Sequence, residues 1–173
     1  GVIAFRTDQI YGLGANPFNA AAVGRIVALK GREDGKPILL LIAHATETER
    51  LLIERSPEFE RLAAKFWPGP LTIIGKAALD LPAEITAGTG TVGVRLPVEI
   101  GVRELVRECG GALTPTSANP AGRAPARSAE EVRSYFPGGL DLIIDGGLVT
   151  AIEPSTVVDA TTYPPRIIRE GAI

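Results

Sequence analysis

Methionine is absent from this 173-residue sequence, and cysteine, histidine and tryptophan occur once each. The lone Cys109 can form no internal disulfide and build no cysteine-based zinc site. The lone His44 excludes a His-rich metal centre and a His–His acid–base pair. No apolar run approaches the roughly 20 residues that cross a bilayer, so no membrane role is expected. Nor does either charge dominate: 18 Lys and Arg stand against 20 Asp and Glu, a net charge of −2. That removes a global basic field for nucleic acid, so an anion site must be a local cluster of cations. The first residues carry no signal-peptide pattern, and the cysteine usage suits a reducing compartment, so the expected location is cytoplasmic. The sequence opens on Gly1 rather than methionine, and a native segment ahead of it is expected.

Hydrophobic residues make up 45% and charged residues 22%, a balance that supports a real core. The length suits one domain, read here as residues 1–173, with no repeat, long linker or low-complexity segment. Short apolar runs alternate with helical patterns, which argues α/β or α+β. Strands are predicted over Val2–Phe5, Ile38–Ile42, Leu71–Gly75, Val92–Leu96, Ala112–Thr114, Leu142–Asp145, Thr156–Asp159 and Arg166–Arg169. Helices are predicted over Ala20–Lys30, Glu47–Glu54, Pro57–Phe66, Val102–Cys109 and Ala129–Tyr135. Asn19 and Ser56 read as helix N-caps, the latter with Pro57 at the first helical position. Ser128 to Glu131 reads as a capping box.

Five segments carry candidate chemistry. Thr7 to Gly14 follows the first strand, offering the hydroxyls of Thr7 and Tyr11 and the glycines Gly12 and Gly14; it is either a ligand loop or an ordinary strand-to-helix connection. Lys30-Gly31-Arg32 places two cations where they could grip one phosphate, or merely end a solvated helix. Arg95 lies inside an apolar strand and needs an anionic ligand or an internal carboxylate. Thr114 to Gly122 is dense in small polar groups, including Ser117 and Asn119, with Arg123 and Arg127 following; it fits ligand oxygens or a capped turn. Ser155 enters the Thr156–Asp159 run, and Arg169 ends the next; a charged-edge hairpin is the alternative. His44 reads as a surface residue and Cys109 as a small packed one.

Taken together, Thr7-Asp8 with Tyr11-Gly12-Leu13-Gly14, Lys30-x-Arg32, Lys36-Pro37, Trp67 to Thr72, Val92 to Pro97, Thr116 to Asn119 and Pro154 to Asp159 resemble the YrdC/Sua5 family over nearly the whole chain. The resemblance implies a twisted open mixed sheet flanked by helices, with a concave, positively charged face. It implies synthesis of threonylcarbamoyl-adenylate and pyrophosphate from L-threonine, bicarbonate or CO2, and ATP, with Mg²⁺ held mainly by the triphosphate. The product would feed N6-threonylcarbamoylation of adenosine 37 of tRNA through downstream transferase proteins. Matched motif by motif, Lys30, Arg32, Ser117 and Asn119 are the expected catalytic set. Lys30, Arg32, Thr91, Asn119, Arg127 and Arg169 are the expected ATP contacts. Thr7, Tyr11, Arg95, Ser117 and Ser155 are the expected L-threonine contacts, and no protein metal ligand is expected.

The sequence departs from the family pattern in places. Arg6 replaces the usual proline, Gln9 the usual threonine, and Pro120-Ala121-Gly122 the usual Leu-Ser-Gly. The helix that usually precedes the first strand, and the extra domain of the longer Sua5 type, are not in this sequence. Two rival readings follow from the same resemblance. One is a module binding RNA weakly through phosphates. The other is a carbamoyl-transfer module of the hydrogenase-maturation type.

Overall fold

Strand β1 (Ile3–Arg6) is the first apolar run, and the chain reverses directly after it. The computed structural model describes residues 1–31, 37–150 and 153–173. Thr7 makes the reversal: its amide and its hydroxyl both donate to the Ile10 carbonyl at 2.8 Å. Strand β2 (Tyr11–Gly14) then pairs antiparallel with β1, Arg6 opposite Tyr11. The segment read as a loop is therefore a β-hairpin. Its two glycines disguised the strand, and packing explains them. A Cβ on Gly14 would stand 2.7 Å from the Phe5 ring, and one on Gly12 would stand 3.3 Å from the Pro115 backbone. Both are sites of close approach rather than of turning.

Helix α1 (Ala20–Lys30) begins as its cap dictates, with Asn19 Oδ1 accepting from the Ala22 amide at 3.0 Å. Gly31 ends it in the left-handed region. A 3₁₀ turn over Ala45–Glu47, capped by the exposed His44, leads into the short α2 (Thr48–Leu51). Helix α3 (Pro57–Phe66) is capped by Ser56, whose Oγ accepts from the Phe59 amide. The single turn α4 (Ala83–Thr86) had no sequence signal, while α5 (Ile100–Glu108) and α6 (Ala129–Tyr135) match expectation closely. At α6 the capping box is only half formed. Ser128 accepts from the Glu131 amide, but the Glu131 carboxylate returns to the Arg127 amide, one residue early.

The remaining strands are β3 (Leu40–Ile42), β4 (Leu71–Lys76), β5 (Thr91–Arg95), β6 (Ala112–Leu113), β7 (Thr116–Ser117), β8 (Leu142–Ile144), β9 (Thr156–Asp159) and β10 (Arg166–Arg169). They form two open mixed sheets rather than one. The smaller runs β7-β2-β1-β8 and the larger β10-β9-β4-β5-β3-β6. One core cluster, including Ile42, Phe59, Ile73 and Val94, packs on the larger sheet, and another, including Ala4, Leu13, Ile26 and Val132, on the smaller. A third joins Phe5 of β1 to Leu41 of β3 and Leu113 of β6. Burying each such side chain contributes roughly 1.5–3 kcal/mol, so Phe5, Leu41 and Leu113 hold the two sheets at a fixed spacing. No described helix is long and apolar enough to cross a membrane.

Candidate functional site

The register of the larger sheet sets one row of residues side by side. Arg169 pairs with Val157, Val157 with Thr72, and Leu41 with Arg95. The Ile73–Val94 pair places Thr72 opposite Arg95. Neighbours across a sheet share a face, so Arg169, Thr72, Arg95 and Leu41 all point the same way. The smaller sheet faces this row with Thr7, just past β1, and Ser117 of β7. A cavity of about 300 Å³ lies between, lined among others by Thr7, Arg95, Ser117, Ser155 and Arg169. Five residues chosen from scattered motifs thus meet at one place.

Arg95 is 4% exposed. Its guanidinium donates to Asp8 Oδ1 and, at 2.9 Å, to Gln9 Oε1. Its Nε is buried with no partner among the described residues. The internal carboxylate expected for a strand arginine is therefore Asp8, and the same arginine lines the cavity. Asp8 and Gln9 were not singled out as site residues from sequence. The signal was present, because a buried arginine requires a carboxylate and Asp8 adjoins Thr7 in the same motif.

Arg169 enters from β10, with Nε and Nη2 donating to the Ser155 carbonyl at 3.1 and 2.8 Å. Nη2 also donates to Ser155 Oγ at 3.0 Å. Desolvation, and then the charge of Arg95, press the Arg169 guanidinium below its usual range. It remains a cation, as arginine does in proteins.

Lys30 ends α1 but is only 8% exposed, so it is not a solvated helix terminus. Its Nζ donates to the Ser117 carbonyl, to the Asn119 carbonyl at 3.0 Å, and more loosely to Ser117 Oγ and Asn119 Oδ1. The expected catalytic set is therefore physically joined for three of its four members. Arg32, the fourth, lies outside the described residues. Ser117 lines the cavity, which places the Lys30 ammonium at its margin.

Three expected contacts are not brought to the cavity. Thr91 starts β5 at the end remote from Arg95, about 13 Å along the strand, and its hydroxyl bonds Thr89. Arg127 is exposed and commits Nε and Nη2 to the Val149 carbonyl. Tyr11 is fully buried, its phenol donating to the Gly147 carbonyl at 2.9 Å and accepting from the Gly146 amide. Burial raises the Tyr11 pKa, so this phenol stays a donor in the core. Arg6, the departure from proline, pairs with Glu99 at 3.4 Å. Cys109 is half-buried, its thiol pushed up by burial and by Glu108.

A cavity between two sheets, lined by apolar side chains, two guanidiniums and the Glu153 carboxylate, is a candidate small-molecule site on a mixed α/β fold. The chain belongs to the Sua5/YciO/YrdC family: that family's model, described as "Telomere recombination", matches residues 1–171. A threonylcarbamoyl-AMP synthase of Pyrococcus abyssi is 38% identical over 99% of this chain, and this chain spans about half (51%) of that relative's length. One of Thiobacillus denitrificans is 39% identical over 94% of the chain and 86% of the relative. Among solved structures, P. abyssi Sua5 complexed with L-threonine superposes with a TM-score of 0.93 at 38% identity, covering 99% of this chain and 51% of that one. Full-length HypF in its phosphate- and nucleotide-bound form shares the fold at a TM-score of 0.80 and 23% identity, covering 98% of this chain and 27% of HypF.

Proposed function

We propose that this chain, as one YrdC-like domain over residues 1–173, is an L-threonylcarbamoyladenylate synthase, a nucleotidyltransferase that serves tRNA N6-threonylcarbamoyladenosine formation. The observation that carries the reading is the pair of guanidiniums, Arg95 and Arg169, on one cavity with the Lys30, Ser117 and Asn119 cluster at its margin. Two neighbouring anion-binding points suit a reaction that holds an amino-acid carboxylate beside the phosphates of a nucleotide.

In the proposed mechanism the threonine amine attacks CO2 and loses a proton, giving an N-carboxylate. One oxygen of that carbamate attacks the α-phosphorus of ATP in line, and the bond to the bridging oxygen breaks, releasing pyrophosphate. No nucleophilic side chain is needed, so the protein's part is positioning and electrostatic stabilisation. Arg95 holds the threonine carboxylate with the N–H groups that Asp8 and Gln9 leave available. Thr7 and Ser155 flank it. Lys30, Arg32 and Arg169 neutralise charge developing on the phosphates, Asn119 offers polar contacts beside them, and Ser117 joins the two halves. Thr91 and Arg127, which do not line this cavity, stay in the proposal as contacts to more distant parts of ATP.

Among the described residues no group of three His, Cys, Asp or Glu side chains is arranged to hold a metal ion. Mg²⁺ carried on triphosphate oxygens, where it would offset phosphate charge, belongs to the proposal. Bicarbonate as the source of that CO2, by protonation and loss of water, a cytoplasmic setting, hand-over to downstream transferase proteins and weak phosphate-mediated tRNA contact belong to the same proposal. The hydrogenase-maturation alternative has only the shared fold behind it. The test is pyrophosphate release from ATP. We expect it to require L-threonine and bicarbonate together; equal release with no amino acid present overturns the reading.

A further inference from the structure

The buried hydroxyl pair Thr72–Ser155 fixes a direction in the site. Thr72 is 1% exposed and Ser155 2% exposed, and their oxygens lie 3.1 Å apart. Arg169 Nη2 donates to Ser155 Oγ at 3.0 Å. A guanidinium cannot accept, so at that bond Ser155 is the acceptor. Among the described residues Thr72 Oγ1 has one partner, Ser155 Oγ. If Ser155 donated to Thr72, the threonine's own proton would be buried without an acceptor, at a cost that native interiors avoid. Thr72 must therefore donate to Ser155. With both lone pairs of Ser155 Oγ then occupied, by Arg169 and by Thr72, its proton can only be offered elsewhere. Ser155 lines the cavity, so that proton faces the ligand.

The Thr72 rotamer that achieves this is held by packing. A Cβ on Gly93 would stand 3.0 Å from Thr72 Cγ2, so the bare glycine on β5 is the seat of the threonine methyl. The methyl in that seat turns Oγ1 toward Ser155, and a β-branched side chain has few other choices.

We infer that Thr72 is a positioning residue: it makes Ser155 an obligate hydrogen-bond donor into the cavity, and so commits that point of the site to an anionic oxygen. Resting on the synthase reading, the oxygen belongs to the carboxylate of L-threonine or to the carbamate formed on it. Thr72 touches no substrate; its action passes through Ser155.

The test compares Thr72→Val, which keeps shape and loses the donor, with Thr72→Ser, which keeps the donor. L-Threonine and ATP affinities are measured by calorimetry, and melting temperature alongside. Thr72→Val leaves Ser155 Oγ a free lone pair and its proton no longer fixed in direction, so L-threonine binding should weaken severalfold, up to about tenfold, with the worth of one hydrogen bond to a charged group as the upper bound. ATP affinity and melting temperature should hold. Thr72→Ser should stay within about threefold of wild type on the same scale. In combination with Ser155→Ala, Thr72→Val should add little further loss, because Thr72 acts only through the Ser155 hydroxyl. Unchanged L-threonine affinity in Thr72→Val overturns the inference. So does an equal loss in Thr72→Ser, or a loss shared equally by ATP, since either marks a packing effect. A wild-type protein that binds no L-threonine overturns the synthase reading itself, and the inference with it.

Discussion

Arg95 and Arg169 lie on strands separated by two others, about 14 Å apart at the backbone, yet their side chains line the same cavity. Asp8 neutralises one of them, and the second sits in the field of the first. The site therefore holds its cations at an electrostatic cost that an anionic ligand relieves. That arrangement sets the first prediction.

Replacing Arg95 by alanine should weaken L-threonine binding by about 2–5 kcal/mol, the usual cost of truncating one partner of a buried charged contact. ATP affinity should change far less. The same substitution leaves the half-buried Asp8 carboxylate without its guanidinium, so the melting temperature should fall as well. Adding Asp8→Asn should restore the melt without restoring the affinity. Calorimetry with both ligands, run on both variants, checks this; intact L-threonine affinity in folded Arg95→Ala would reduce Arg95 to a structural ion pair.

Lys30→Ala tests the cluster at the cavity margin. A solvated helix end would lose only a few tenths of a kcal/mol to about 1 kcal/mol. The buried ammonium donates to half-buried oxygens of Ser117 and Asn119, and stranding such acceptors costs up to about 1–3 kcal/mol. Turnover should fall a hundredfold or more, as when preorganised charge is removed from a transition state. Thermal melts and pyrophosphate release on one preparation separate the two effects, and a normal rate would take Lys30 out of the catalytic set.

Asp141 offers a pH signature away from the site. Its carboxylate accepts from the Val2 amide at 2.5 Å and from Arg25 at 3.0 Å, and these bonds, the Val2 amide first, lower its pKa. A depressed folded pKa means the group stabilises the fold above its unfolded value, near 3.9, and that this contribution is lost as pH falls through the folded pKa. Asp141→Asn should therefore lower the melting temperature at neutral pH, and the gap to wild type should close under acid. A gap that stays constant from neutral to strongly acidic pH would show that the carboxylate's charge plays no part.

Local chemistry made much of the molecule legible in sequence. Asn19, Ser56 and Ser128 announce their helices because a cap is a bond between a side chain and an amide two or three residues away. The β-branched runs announce most strands, and the motif order alone carried the family. The motifs also supplied Thr7, Arg95, Ser117, Ser155 and Arg169, which the fold gathers on one cavity. What sequence could not decide depends on contacts between residues far apart in the chain. Strand β2 was hidden because its glycines answer to Phe5 and Pro115, not to their neighbours. The burial of Lys30 follows from Ser117 and Asn119 folding over it, almost ninety positions later. Thr91 and Arg95 look equally near the site in sequence, yet a strand is extended, so four residues along β5 set Thr91 at the other end from the cavity that Arg95 lines. The direction of the Ser155 proton was decided last, by a threonine on β4, an arginine on β10 and the absence of a side chain at Gly93. Hydrogen-bond valence at a buried oxygen is a property of everything packed around it, and only the tertiary structure supplies that.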